Sequence, residues 1–141
     1  MCLWPKKQVL YKAHRPILVI KVGQKLGDVL ITPYQYAPLA YSTMHHSCIK
    51  KTQEAIRQGL HSYSTNRVAN INCNPYFGEK THYALIPKGA YFCIGDSGDA
   101  VSTHLVIYPF RSKKPNYKYF DSSENWKVVL DFSNIEGFLV K

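Results

Sequence analysis

A chain of 141 residues, 45% hydrophobic and 19% charged, carries enough apolar surface to fold and is too rich in it to stay disordered. Eighteen Lys and Arg against nine Asp and Glu give a net charge of +9, with ten basic and two acidic side chains in residues 1–70 and eight and seven in residues 71–141. No apolar run reaches the ~18 residues that span a bilayer, which excludes a helical membrane protein and leaves anionic partners (phosphates, nucleotides, nucleic acid) as the class that the basic first half favours.

The N-terminal "MCLWPKKQVLYK" has no long apolar stretch behind its lysines, so it does not read as a secretory signal. Strands are expected at 8–12, 16–22 and 28–32, which are rich in Val, Ile and Leu and broken by Pro and Gly. Ile49, Thr52, Ile56 and Leu60 recur at helical spacing and predict a helix over about residues 43–58, capped by Ser42 or Thr43 and stopped by Gly59. Further strands are expected at 60–65, 67–73, 81–87, 90–95 and 102–109. A basic, aromatic loop follows at 110–120, then strands at 126–132 and 135–141. The fold class that results is α+β: one strand-dominated domain over residues 1–141, with mixed or antiparallel sheets and one clear helix. A sheet edge in such a Tyr-rich chain, which has eleven tyrosines, permits a homo-oligomer.

Four patterns bear on chemistry. "GDSG" at 95–98 matches the tetrapeptide around a trypsin-like nucleophile. But the chain is too short for two β-barrels, and no histidine has the expected context. Gly95 to Asp99 are all turn formers between two strand-like runs, so a hairpin turn is expected. A metal site at His45, His46 and Cys48, joined by Cys73 and His82, fails on spacing, because adjacent residues on a helix diverge by about 100°. The cysteines (Cys2, Cys48, Cys73, Cys93) form no C-x-x-C pair and read as reduced thiols of an intracellular protein. No Walker or Rossmann phosphate loop is present, and "PKG" at 87–89 reads as a turn. Aromatic and basic residues do occur together, at Tyr11–Arg15, at Tyr34 and Tyr36, at His61 with Tyr63, and at Arg111–Tyr119. These are base-stacking and phosphate-contacting types, and equally sheet residues with snorkelling lysines.

Three stretches, in order, resemble ADP-ribosyltransferases. "VLYKAHR" (9–15) is similar to their opening strand, where an aromatic and a basic residue help hold NAD. "GLHSYST" (59–65) is similar to their central strand. "YALIPKGAYFCIG" (83–95) is similar to the strand-turn-strand that follows the catalytic Glu-x-Glu. The run "IPKGAYFCIG…VSTHLVIY" also resembles uncharacterised proteins of bacteriophages and prophages. On this sequence the Glu-x-Glu positions fall at Thr81 and Tyr83, and neither supplies a carboxylate. Glu79 lies nearby, but four residues along a strand is a displacement of about 13 Å.

The resemblance therefore implies a pocket without the chemistry. The expected function is a non-catalytic, phage-type protein that holds an anionic nucleotide-derived ligand, a cyclic nucleotide or ADP-ribose-like signal, and sequesters it from antiphage defence. The expected contacts are Lys12, Arg15, His61, Tyr63, Tyr83 and Lys88, with no catalytic residue, metal or cofactor. The location would be cytoplasmic, in the host cell if the chain is phage-encoded. Two alternatives stand beside it: a basic nucleic-acid- or protein-binding module, and an atypical ADP-ribosyltransferase-like enzyme using Glu79.

Overall fold

The computed structural model describes residues 3–5, 9–26, 29–31, 36–38, 42–43, 50–52, 55–107 and 139–140. In chain order they form β1 (Val9–Lys12), β2 (Ile17–Leu26), β3 (Val29–Ile31), β4 (Tyr36–Pro38), β5 (Ser42–Thr43), β6 (Lys50–Thr52), β7 (Ala55–Gln58) and β8 (Leu60–Tyr63). Helix α1 (Asn66–Ile71) and a 3-10 turn (Pro75–Phe77) follow, then β9 (Glu79–Ile86), β10 (Tyr91–Ile94), β11 (Asp99–Ser102), β12 (Val106–Ile107) and β13 (Leu139–Val140). The chain is thus strand-dominated, with a single short helix among the described residues, as its composition implies.

Eleven strands form one sheet, whose main path runs β13-β1-β10-β11-β8-β2-β9-β12-β5. Its pairs are antiparallel, except β1 with β13. The spine is β2 against β9, in register from Ile17↔Ile86 to Gln24↔Glu79. Both strands read as near-continuous apolar runs ("ILVIKV", "YALI") because both of their faces are covered.

The connections force this sheet to curl. Only residues 103–105 join β11 to β12, which lie four strand spacings apart in the sheet order. In a flat sheet that separation is about 19 Å, whereas the chain from Ser102 to Val106 reaches at most about 14 Å. The turn from β9 to β10, residues 87–90, crosses the same number of strands. The sheet therefore folds over an inner face, where Val19, Leu60, Ala84, Ile86, Ile107, Ala13 and Ala90 form one core cluster with Leu105. Ile17 and Phe92 close it from the side.

Three smaller clusters sit on the outer face, one of them Leu85 and Val106 beside Leu18 and Tyr83. Leu3 and Ile56 cover Leu10, Cys93 and Val101. Helix α1 covers Ile20, Val22 and Tyr63 through Ala69, with Val68 and Cys73 beside it. Leu3 and Ile56 exchange two backbone hydrogen bonds, at 2.9 and 2.8 Å, and Pro5 bridges to Gly95, so residues 3–5 staple β7 to the β10–β11 hairpin.

Among the described residues, the segment expected as a helix over 43–58 is strand. Lys50–Thr52 and Ala55–Gln58 form a two-stranded antiparallel ribbon, and Ser42–Thr43 pair with β12. The helical spacing misleads because Ile56 and Leu60 serve different cores. Ile56 enters the outer cluster under Leu3, and Leu60 enters the inner one. Gly59 between them has φ 135°, a conformation that only glycine adopts freely, and it turns the chain from one layer to the other. A helix forms instead at Asn66–Ile71, over most of the segment 67–73 expected as a strand. Thr65 caps it, its Oγ1 accepting from the Val68 N–H, and its buried Ala69 faces β2 and β8. The expected strand at 102–109 breaks at residues 103–105, the crossing described above. The 110–120 loop, the 126–132 strand, Tyr34, His45, His46, Cys2 and Cys48 lie outside the described residues.

Because Ile56 is fully buried in the outer cluster, Ile56→Ala lowers unfolding stability by about 2–5 kcal/mol, the usual cost of emptying a core site. Urea denaturation of the two proteins measures it, and a change below about 0.5 kcal/mol contradicts the packing.

Candidate functional site

The expected contact residues separate into two groups. Lys12 ends β1 opposite Tyr91, Arg15 lies in the β1–β2 connection, and Lys88 lies in the turn Pro87–Ala90; all three are exposed. Their segments are joined: Ala13 N–H donates to the Ala90 carbonyl at 2.8 Å, and Gly89 N–H donates to the Ala13 carbonyl at 2.7 Å. The three cations, with exposed His14, therefore gather on two adjoining loops. His61 and Tyr63 are buried in β8. Tyr83 is half-buried and stands in register with Ile20, which pairs on its other side with Tyr63.

The "GDSG" segment forms the β10–β11 hairpin turn, with Ile94 paired to Ala100 and Gly95 N–H donating to the Asp99 carbonyl at 2.9 Å. Ser97 is exposed, and its hydroxyl meets the Asp96 carboxylate at 3.3 Å. Glu79, the carboxylate nearest the missing Glu-x-Glu, has a structural partner: its Oε1 accepts from the Asn74 N–H at 3.0 Å.

A groove of about 230 Å³ opens where β8 ends and β2 continues. Leu18, Val19 and Ile20 of β2 and Tyr83 of β9 form its floor and one wall, and Ser64, Thr65 and Asn66 form the other. Two of these polar groups already have partners. Ser64 Oγ donates to the Gly98 carbonyl at 3.1 Å, and Thr65 Oγ1 accepts from Val68 N–H at 3.3 Å. Asn66 Oδ1 is buried without a hydrogen-bond partner. The lining offers one phenol ring, an amide, two hydroxyls and aliphatic side chains, with no carboxylate, imidazole, thiol or amine. Of the residues expected from sequence, Tyr83 lines this groove. Arg15 and Lys88 lie beyond it at the same end of β2 and β9, Arg15 three residues before Leu18 and Lys88 two residues after Ile86. Ser64, Thr65 and Asn66 are not among the expected contacts: Ser64 and Thr65 fall in the strand expected at 60–65, Asn66 between that strand and the next, and the signal is Thr65, a helix-capping residue ahead of "NRVANI".

The inner face holds a second polar arrangement. Lys21 sits in register with His82, and both are buried; only 1% of Lys21 is exposed. Its Nζ donates to the His61 carbonyl at 2.6 Å. Ser62, Thr103 and Ser102 are also fully buried, and Ser102 Oγ donates to the His104 carbonyl at 2.9 Å. Burial holds the Lys21 amine down at about 7, from 10.5 for an exposed lysine. Burial, and next the Lys21 charge, holds the His61 imidazole down at about 3. His61 is therefore neutral at physiological pH and enclosed, which leaves it a part of the packing rather than a surface for an anion. Lys21 was legible in principle: strand alternation from Val19 in "LVIKV" aims it inward.

Between pH 7 and 10.5 the unfolded chain binds a proton at Lys21 that the folded chain does not, so stability rises with pH through that window. Removing the amine with Lys21→Met stabilises the protein near pH 7, by an amount on the order of 4 kcal/mol from a shift of this size, and flattens the rise. Denaturant titrations of both proteins at pH 7 and pH 10 check this. A wild type that gains nothing over the variant between the two pH values contradicts it.

No helix among the described residues is long and apolar enough to cross a membrane, and no group of three or more His, Cys, Asp or Glu among them is placed to hold a metal ion. Comparison with protein-family models, with curated proteins and with solved structures returns no match, so the groove and the cations beside it are the grounds on which function rests.

Proposed function

We propose that the protein is a non-catalytic binder of a small, anionic, nucleotide-derived ligand, with the planar part of the ligand in the groove against Tyr83 and its phosphates toward Arg15 and Lys88. One observation carries this reading: the strands that line the groove, β2 and β9, lead at the same end into the loops that bear those cations. Arg15 is at most ~10 Å of chain from Leu18. The groove is smaller than the ~300 Å³ at which drug-sized pockets begin, so it suits one ring system, with the charged remainder outside.

The lining supports holding over turnover. It contains no carboxylate, imidazole, thiol or amine, so its hydroxyls have no adjacent base to activate them as nucleophiles. Where the ADP-ribosyltransferases carry Glu-x-Glu, this chain has buried Thr81 and groove-lining Tyr83. The likeness to that family extends, on this reading, to the scaffold: "GLHSYST" ends in the groove wall and "YALIPKG" supplies Tyr83 and Lys88. A ligand held stoichiometrically and never released as product is withdrawn from solution. That suits a sequestering protein directed against a nucleotide signal of antiphage defence.

A thermal-shift panel of NAD, ADP-ribose and cyclic di- and trinucleotides tests the proposal. At 100 times its dissociation constant a true ligand adds about 2.7 kcal/mol, a shift of several degrees for a chain of this size. Tyr83→Ala and the pair Arg15→Ala with Lys88→Ala each remove the shift while leaving the unliganded melting temperature within a few degrees. No shift with any member overturns the proposal, as does turnover of the bound compound.

A further inference from the structure

A second surface, independent of the groove, stands out on the link from α1 to β9. Tyr76 is 97% exposed, Phe77 68% and Ile71 75%. Tyr76 and Phe77 are consecutive, and two large side chains side by side in water are costly unless something covers them. They are not loosely placed. The Asn74 side chain accepts from Tyr76 N–H at 3.0 Å, and Asn74 N–H donates to Glu79 Oε1 at 3.0 Å. Phe77 N–H donates to the Asn74 carbonyl at 3.1 Å, and the Gln24 side chain reaches across from β2 to the Phe77 carbonyl. Gly78, at φ 73°, takes the left-handed position that closes the turn, with no atom within 4 Å of where a side chain would begin. The result is a rigid knuckle that presents two consecutive aromatic rings outward.

The charge around the knuckle selects the occupant. From residue 59 to 95 the chain has one carboxylate, Glu79, against Arg67, Lys80 and Lys88. That carboxylate is turned inward onto Asn74, while Arg67 and Lys80 are exposed. Arg67 and Ile71 are four residues apart on α1 and so share a face of it. The surface thus combines exposed rings, two cations and the exposed amide of Asn70; an exposed carboxylate, Asp96, lies on the hairpin turn whose Gly98 stands beside Val68 of α1. A second copy of this chain brings the same +9 charge, which opposes its approach. An anionic bilayer is held by clusters of about 4–8 Lys and Arg, twice what the knuckle carries or more. Rings on which bases stack, beside cations that meet phosphates, are the elements of a single-strand platform.

We propose that the Tyr76–Phe77 knuckle, flanked by Arg67 and Lys80, binds single-stranded nucleic acid by stacking bases on the two rings, without reading sequence. The proposal does not depend on the groove, and failure of one leaves the other standing.

Fluorescence anisotropy of a labelled oligothymidylate about 16 nucleotides long, long enough for the larger single-strand sites, tests it on the full chain. Binding is expected at about 50 mM salt and weakens toward about 200 mM. Tyr76→Ala and Phe77→Ala each reduce affinity roughly tenfold, and Tyr76→Phe, which keeps the ring, retains it. Lys80→Ala lowers the slope of log affinity against log salt by about 0.7. The side chains altered are exposed, and an unchanged melting temperature confirms that each variant folds. No binding at low salt overturns the proposal, as does binding that both alanine variants leave intact. Loss in those variants of adhesion to phosphatidylserine vesicles or of self-association, with oligonucleotide binding unmoved, also overturns it and gives the surface to a membrane or to a second copy.

Discussion

Three residues between Ser102 and Val106 set the shape of this molecule. Because they are too few to cross a flat sheet, the sheet must bring its two halves together, and the inner face becomes a closed core. Everything else is placed by that closure. Lys21 is sealed in since its strand lies at the centre of the curled sheet, with β8 on one side and β9 on the other. Thr103, fully buried, ties the crossing to β10: its backbone N–H donates to the Tyr91 carbonyl at 2.9 Å, and its hydroxyl accepts from the Tyr91 N–H at 3.0 Å. The outer face, freed from making the main core, is left for a ribbon, a short helix and a groove.

Much of the sheet was legible in the sequence, because its central strands are long apolar runs bounded by turn formers. "PILVIKV" and "THYALIP" became β2 and β9, and both "PKG" and "GDSG" became turns. The errors share one cause. A spacing of three or four residues identifies a helix only if those residues face one core, and here Ile56 and Leu60 belong to two. "RVANINC" has the β-branched content of a strand, yet Thr65 caps it and Ala69 is small enough to bring a helix against Ile20 and Tyr63. Local composition does not reveal the second layer, and the second layer decided both segments.

The candidate site was legible in part for the same reason. Cations at turns are exposed wherever the turn goes, so Lys12, Arg15 and Lys88 could be named from the sequence. Ring and imidazole positions depend on strand alternation and on what covers each face. Tyr63 and Tyr83 share the outer face, but α1 packs over the first and leaves the second beside open space. Sequence alone does not distinguish two tyrosines on one face. The polar groups of the groove wall come from a helix start that the strand reading had absorbed.

The pairing pattern also bears on how the chain reaches this state. Its edge strand β13 meets β1 through Val9↔Leu139 and Leu10↔Val140, residues from nearly opposite ends of the sequence, and its spine joins segments about sixty residues apart. Loops that long must close before their contacts return any stability, which slows folding relative to a helical domain of the same size. The hairpin of β10 and β11, whose paired residues are six to ten apart, closes far more cheaply. On loop closure the local hairpins, β2–β3, β6–β7 and β10–β11, are expected to form early and the β1–β13 edge last. On that order, a segment that looks at first like a nucleophile's setting serves the chain as one of its early-closing turns.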